Sequence, residues 1–186
     1  MPPPGHAKPG PANIKEFIMS TNLHQESVSV FVQYLTSLST LLTKAAAHAE
    51  ARKIDPSVFV GARIAPDMFP LSRQVQIATD HAKGASARLA GVEAPSFADT
   101  ETSFPELQQR ITKTLDYIKG LKPAQFDGAS DRDVTLTIAG QKMTWKGAIY
   151  LSHFALPNFF FHCTATYTIL RHNGVDIGKR DFMGSI

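Results

Sequence analysis

The chain has 186 residues, of which 43% are hydrophobic and 19% charged, enough for a single globular domain with a real core and too few for a second. Its formal charge of +3 is spread over scattered Lys and Arg residues, which argues against the clustered basic footprint of a nucleic-acid binder. One cysteine, Cys163, excludes an internal disulfide and points to a reducing, cytoplasmic setting.

Residues 1–19 are rich in Pro and Gly and hold no apolar run of signal-peptide length, so they read as a disordered leader before a domain at 20–186. Met19 offers an alternative start. From His24 to Ala49, Val28, Phe31, Leu35, Leu38, Leu42, Ala45 and Ala49 recur in steps of three and four, the seam of a bundle helix. Asp55 and Pro56 form a cap and first-position pair that predicts a short helical turn. A second seam runs through Met68, Leu71, Val75, Ala78, Ala82, Ala85 and Leu89 and stops at Gly91. A third helix opens with Ser103 and Glu106 in capping-box spacing, turns Leu107, Ile111, Leu115 and Ile118 inward, and ends near Gly120.

Between Asp133 and Trp145 the period changes to two, with Val134, Leu136 and Ile138, a turn at Ala139 and Gly140, then Met143 and Trp145; this predicts a short β-hairpin. The stretch from Trp145 to Asn173 is apolar on nearly every face and therefore has to lie among other helices. Ser152, His153, Asn158 and His162 make it too polar to cross a membrane. The tail after Gly174 reads as irregular, with Phe182 folding back. The expected fold is all-α: an up-and-down four-helix bundle with a hairpin before the last helix.

On the last helix, His153 and His162 are nine residues apart and face opposite sides, whereas Asn158 and His162 are four apart and share a face. Pro157 cannot donate to the carbonyl of His153, so a kink or bulge is expected there. Gln74 and His81 border the second seam and can look into the same interior. Together these give a candidate polar cluster of Gln74, His81, Asn158 and His162, with His153 joining if the helix is distorted. Asp80 and Glu106 read as solvated charges, His48 as a surface residue, and Cys163 as a small buried thiol. Neither a nucleophile elbow nor a phosphate-cradling glycine loop is present. The aromatic run Phe159, Phe160 and Phe161, with Tyr150 and Phe154, suits either plain core or an apolar pocket.

The segments APDMFPLSRQVQIATDHAKGASARLAG and HFALPNFFFHCTATYTILRHNGVDIGKRDF resemble a family of unknown function in the DinB-like (DinB/YfiT) four-helix-bundle superfamily, over about Ser20 to Met183. The resemblance implies a three-histidine metal site, one ligand from the second helix and two, four apart, from the last. Those positions fall near Gln74, counted from a cap at Asp67, and on Asn158 and His162, leaving one His of three with amides at the others. The implied site is thus a degenerate one, surviving as a polar small-molecule pocket in a cytoplasmic homodimer. Two alternatives stand beside it. One is a metal-dependent transferase holding zinc, nickel or iron through His162 with His81 or His153; the other is a non-catalytic module for an apolar ligand.

Overall fold

The computed structural model describes residues 22–184; the expected leader, residues 1–19, and the choice between Met1 and Met19 fall outside the described residues. In chain order, a π-helical turn Gln25–Ser29 leads into α1 (Val30–Arg52), followed by α2 (Pro56–Val60), α3 (Leu71–Ala90) and α4 (Phe104–Gly120). A 3-10 turn at Pro123–Phe126 precedes the antiparallel strands β1 (Asp133–Ile138) and β2 (Gln141–Lys146). The last long helical stretch comes in three pieces: α5 (Gly147–Tyr150), a π-helical turn Leu151–Ala155 and α6 (Leu156–His172). A short α7 (Lys179–Met183) follows. The mostly helical fold with a hairpin before the last long helix is the expected one.

The seams read from the sequence are the buried ones. Val28, Phe31, Leu35, Leu38, Leu42, Ala45 and Ala49 pack in the core from the first helix, and Leu71, Val75, Ala78, Ala82, Ala85 and Leu89 from α3. Met68 lies outside the helix: α3 is not capped at Asp67 but starts at Leu71, because Pro70 is extended and the Leu71 amide donates instead to the carbonyl of Ala62. At its other end Gly91 takes the left-handed conformation, and Arg132 donates to the Leu89 carbonyl that the helix leaves unpaired. The α4 cap differs in one detail from the usual box. The Ser103 hydroxyl accepts from the Glu106 amide, while the Glu106 carboxylate accepts from the amide of Thr102.

α3 packs on α6 and α4, and α1 on α4 and α6. Gln74 meets His162, His81 meets Phe154 and Arg88 meets Tyr150, so α3 runs antiparallel to the last helix. The linker between α3 and α4 returns along the bundle: the Tyr117 hydroxyl donates to the carbonyl of Glu93 near its start, and Gln76 and Arg110 donate to Glu101 near its end. α3 and α4 therefore lie side by side in the same direction, which departs from the expected up-and-down order at this one step, because the linker runs back along the bundle before α4 begins.

Both turn residues of the hairpin, Ala139 and Gly140, have positive φ (48° and 81°), the requirement of the tight turn that matches the twist of the strands. Val134 opposes Trp145 and Leu136 opposes Met143. Val134 is buried and Leu136 and Trp145 partly so, which seats one face of the hairpin on the bundle, as an isolated two-stranded unit needs. The tail is not irregular throughout. Gly178 donates its amide to Asp181 and starts α7, which brings Phe182 edge-on to Tyr34 and Tyr167. No described helix is long and apolar enough to cross a membrane.

Candidate functional site

The site begins with Pro157. Lacking an N–H, it leaves the carbonyl of His153 without its ordinary partner one turn later, and the chain answers with the wide turn Leu151–Ala155, closed by the Leu156 amide on the carbonyl of Leu151. The Asn158 side-chain amide donates to the Phe154 carbonyl at 2.7 Å, satisfying backbone at the edge of that turn. The wide turn also sets the aim of Tyr150, just before it, and of Phe154, within it.

His162 is 8% exposed and sits one turn beyond Asn158. Its Nδ1 lies 2.7 Å from Gln74 Oε1, and Gln74 Nε2 donates to the carbonyl of Phe69 at 3.1 Å. That second bond fixes the amide with its oxygen toward the ring, so Nδ1 carries the proton and Nε2 the lone pair. On its face His162 stacks against His81, with centroids 5.8 Å apart and planes 16° from parallel. Burial, then the nearby charges of His81 and Arg73, hold the His162 pKa down to about 4, so the ring is neutral at neutral pH. His81 is also pushed below the ordinary imidazole value, mainly by burial, with Asp80 pulling it up and Arg88 pushing it down.

The structure therefore brings together Gln74, His162 and His81. Asn158 has no hydrogen bond to any of them among the described residues, its amide being spent on Phe154. His153 is exposed and pairs through Nδ1 with the Ser152 hydroxyl at 2.8 Å, on the other side of the helix. Cys163 is buried in apolar surroundings that push its thiol pKa up, which makes it a poor nucleophile.

The donor set does not fit the metal that the resemblance implies. Among the described residues no three His, Cys, Asp or Glu side chains stand close enough to share an ion. Imidazole ligands direct in-plane lone pairs at one point, and stacked rings send theirs side by side. His162 Nδ1 is in addition committed to Gln74, whose amide oxygen is a weak ligand for zinc, nickel or iron.

What the histidines do border is a cleft. A cavity of about 280 Å³ is lined by Arg73, Ile77, Asp80, His81, Arg88, Leu136, Tyr150 and Phe154. Its walls are α3, the start of the last helical stretch and the hairpin. Two of its charges are already matched: Arg73 pairs with Asp99, and Asp80 with Arg110 at 2.9 Å and Lys83 at 3.1 Å. Asp80 is thus no solvated bystander, since Arg110, 2% exposed, draws it into a network with Asp99 and Glu101 that clamps the linker before α4. Glu106 is likewise engaged, its pKa lowered first by the Thr102 amide. Arg88 is different: it has no carboxylate partner among the described residues and donates to the Tyr150 hydroxyl at 3.2 Å. Sequence reading misses Arg110, because an arginine beside a helical seam looks solvated, and it misses Arg88, which is exposed yet reaches the Tyr150 hydroxyl. The available signal for Arg88 was Gly84, a glycine in a helix interior one turn before it. Phe160 and Phe161 line a separate apolar groove of about 410 Å³ with Ile64 and Met68 on the outer side of α6.

The chain matches, over residues 23–183, the model of a family described as a domain of unknown function, DUF1993. A solved structure of a DinB family member protein from Shewanella denitrificans is 40% identical and superposes with a TM-score of 0.84, over 88% of this chain and 93% of that one. No protein of curated function matches.

Proposed function

The chain belongs to the DUF1993 family of unknown function, and from that premise we propose that it is a DinB-like bundle that binds a small polar molecule in the cleft beside His81. The observation that carries this reading is the hydrogen bond from His162 to Gln74. At two of the positions where the resemblance implies metal-binding imidazoles, this chain has a neutral His locked to an amide, and the pair buttresses His81 from the core side. A rigid neutral support behind a cleft-lining His suits recognition of a ligand by hydrogen bonding. Asn158 holds the backbone turn that aims Phe154 into the cleft, and His153 stands outside it.

The test is a fragment screen of the full chain by amide NMR. Shifts clustered on residues 73–88 and 150–154 support the reading; shifts scattered over the surface, or none, sink it. Untagged protein is expected to carry no stoichiometric metal. Zinc, nickel or iron at one per chain, lost in His162→Ala, would instead establish the metal-dependent transferase. We further propose that two copies of the chain pair through the apolar groove of α6, where Phe161 is 57% exposed.

A further inference from the structure

We infer that the cleft is built for a small organic monoanion, a carboxylate carried on a short flat apolar body, and that Gly84 is there to set the guanidinium that receives it. This inference rests on the small-molecule reading of the same cleft and goes beyond it by naming the ligand's charge and shape.

The charge follows from the pairing. Of the groups that line the cavity, Arg73 and Asp80 are matched by carboxylate and cationic partners respectively, and burial disfavours the charged form of His81. Arg88, exposed at the edge of the cleft, is the lining charge that has no oppositely charged side-chain partner among the described residues. It spends one donor on the Tyr150 hydroxyl, and a guanidinium has five in a fork that matches a carboxylate. Tyr150 is 1% exposed and its pKa is raised by burial, so it keeps its proton. Having accepted from Arg88, its O–H is free to donate, and the two groups form a ready pair of donors for one anion.

The shape follows from the other walls. Ile77, Leu136 and Phe154 are apolar, and Phe154 forms a triangle of rings with Trp145 and Tyr150, their centroids 5.4 and 5.8 Å away. The cleft is open and its volume of about 280 Å³, equal to roughly nine waters at about 30 Å³ each, accommodates a small acid such as benzoate with room to spare.

Gly84 supplies the independent observation. A Cβ built there would lie 2.5 Å from Nη1 of Arg88, so the guanidinium lies folded back across the glycine in the space that a methyl group would fill. Glycine in a helix interior weakens the helix relative to alanine, and α3 keeps one at this place.

The experiment is a titration of the full chain with benzoate and, in parallel, with benzamide, followed through the side-chain Nε–Hε signal of Arg88 and the ring signals of Tyr150. Benzoate is expected to bind and to move both, with benzamide at least about tenfold weaker, since a hydrogen bond to a charged group contributes more than one to a neutral group. Arg88→Gln should abolish that preference and Arg88→Lys restore part of it. Gly84→Ala should leave the thermal midpoint unchanged or higher while weakening benzoate at least about fivefold, an outcome that a merely structural glycine would not give. Equal binding of benzamide and benzoate overturns the anion and leaves the cleft as a small-molecule site. Failure of both to perturb residues 73–88 and 150–154 overturns both readings.

Discussion

Burial keeps His162 neutral, and that neutrality has a pH signature. Its folded pKa of about 4 lies below the ordinary value of 6.5, so above pH 6.5 neither the folded nor the unfolded chain holds the proton and the stability from this group is complete. As pH falls from about 6.5 to about 4 the unfolded chain takes up the proton first, and stability is lost through that window. His81 is shifted in the same direction and adds to the slope. Melting midpoints measured by circular dichroism should drop over this range, and His162→Gln should flatten the profile even if it starts lower; an unchanged slope would mean that the imidazole is solvated. The amide partner can be probed in the opposite sense. Gln74→Glu sets a carboxylate beside Nδ1 and should raise the His162 pKa, read directly by NMR titration of the ring. The double variant Gln74→His with Asn158→His tests the degenerate site itself: it should gain zinc that the parent chain does not hold. No uptake would show that the three positions do not converge.

At the scale of elements, the hairpin and the last helix each carry a local irregularity that shapes the cleft. Ala139 adopts the left-handed conformation at the first turn position, where Asn is better suited, with Gly140 following. Ala139→Asn should therefore stabilise the chain by about 0.5 to 1 kcal/mol, measured by urea unfolding. Loss of stability would place the strain elsewhere. The wide turn at Leu151–Ala155 was legible as a disturbance because Pro157 cannot donate, but its form was not. Whether a missing donor yields a kink, a break or a π turn depends on how the neighbouring backbone is supported, and here the Asn158 side chain donates to the next carbonyl, that of Phe154. The α3 start illustrates the same limit. Asp67 has the chemistry of a cap, yet the chain from Ala62 onward folds so that Pro70 precedes the first helical turn.

Across the whole molecule, Arg110 ties three segments together. It donates to Thr79 and Asp80 on α3 and to Ala98 and Glu101 in the returning linker, and pairs with Asp99. Arg110→Met removes the shared cation, while the partly exposed Asp80 and Asp99 keep Lys83 and Arg73, and should cost about 2 kcal/mol by urea unfolding, less than the loss of one partner from a fully buried pair. A cost below about 1 kcal/mol would mean that the linker holds without it. Pairing of two copies is tested on the same scale. Phe161→Glu should convert a dimer to a monomer in light scattering after gel filtration without lowering the melting midpoint, since Phe161 is exposed in the single chain.

The sequence by itself determined the elements: where four bundle helices run, which residues they bury, the hairpin and its turn, and the presence of a disturbance at Pro157. These follow from short-range physics, since periodicity decides which face is apolar and caps and glycines decide where a helix can end. The sequence also marked Gln74, His81 and His162 as inward-looking on two separate helices. Only the tertiary structure decided that His162 bonds to Gln74 and stacks on His81, that Asn158 serves the backbone, and that Arg88 stands uncompensated while Asp80 is matched by Arg110. Partnership between charges far apart in the chain depends on which helices lie side by side and in which direction, and no local pattern encodes that.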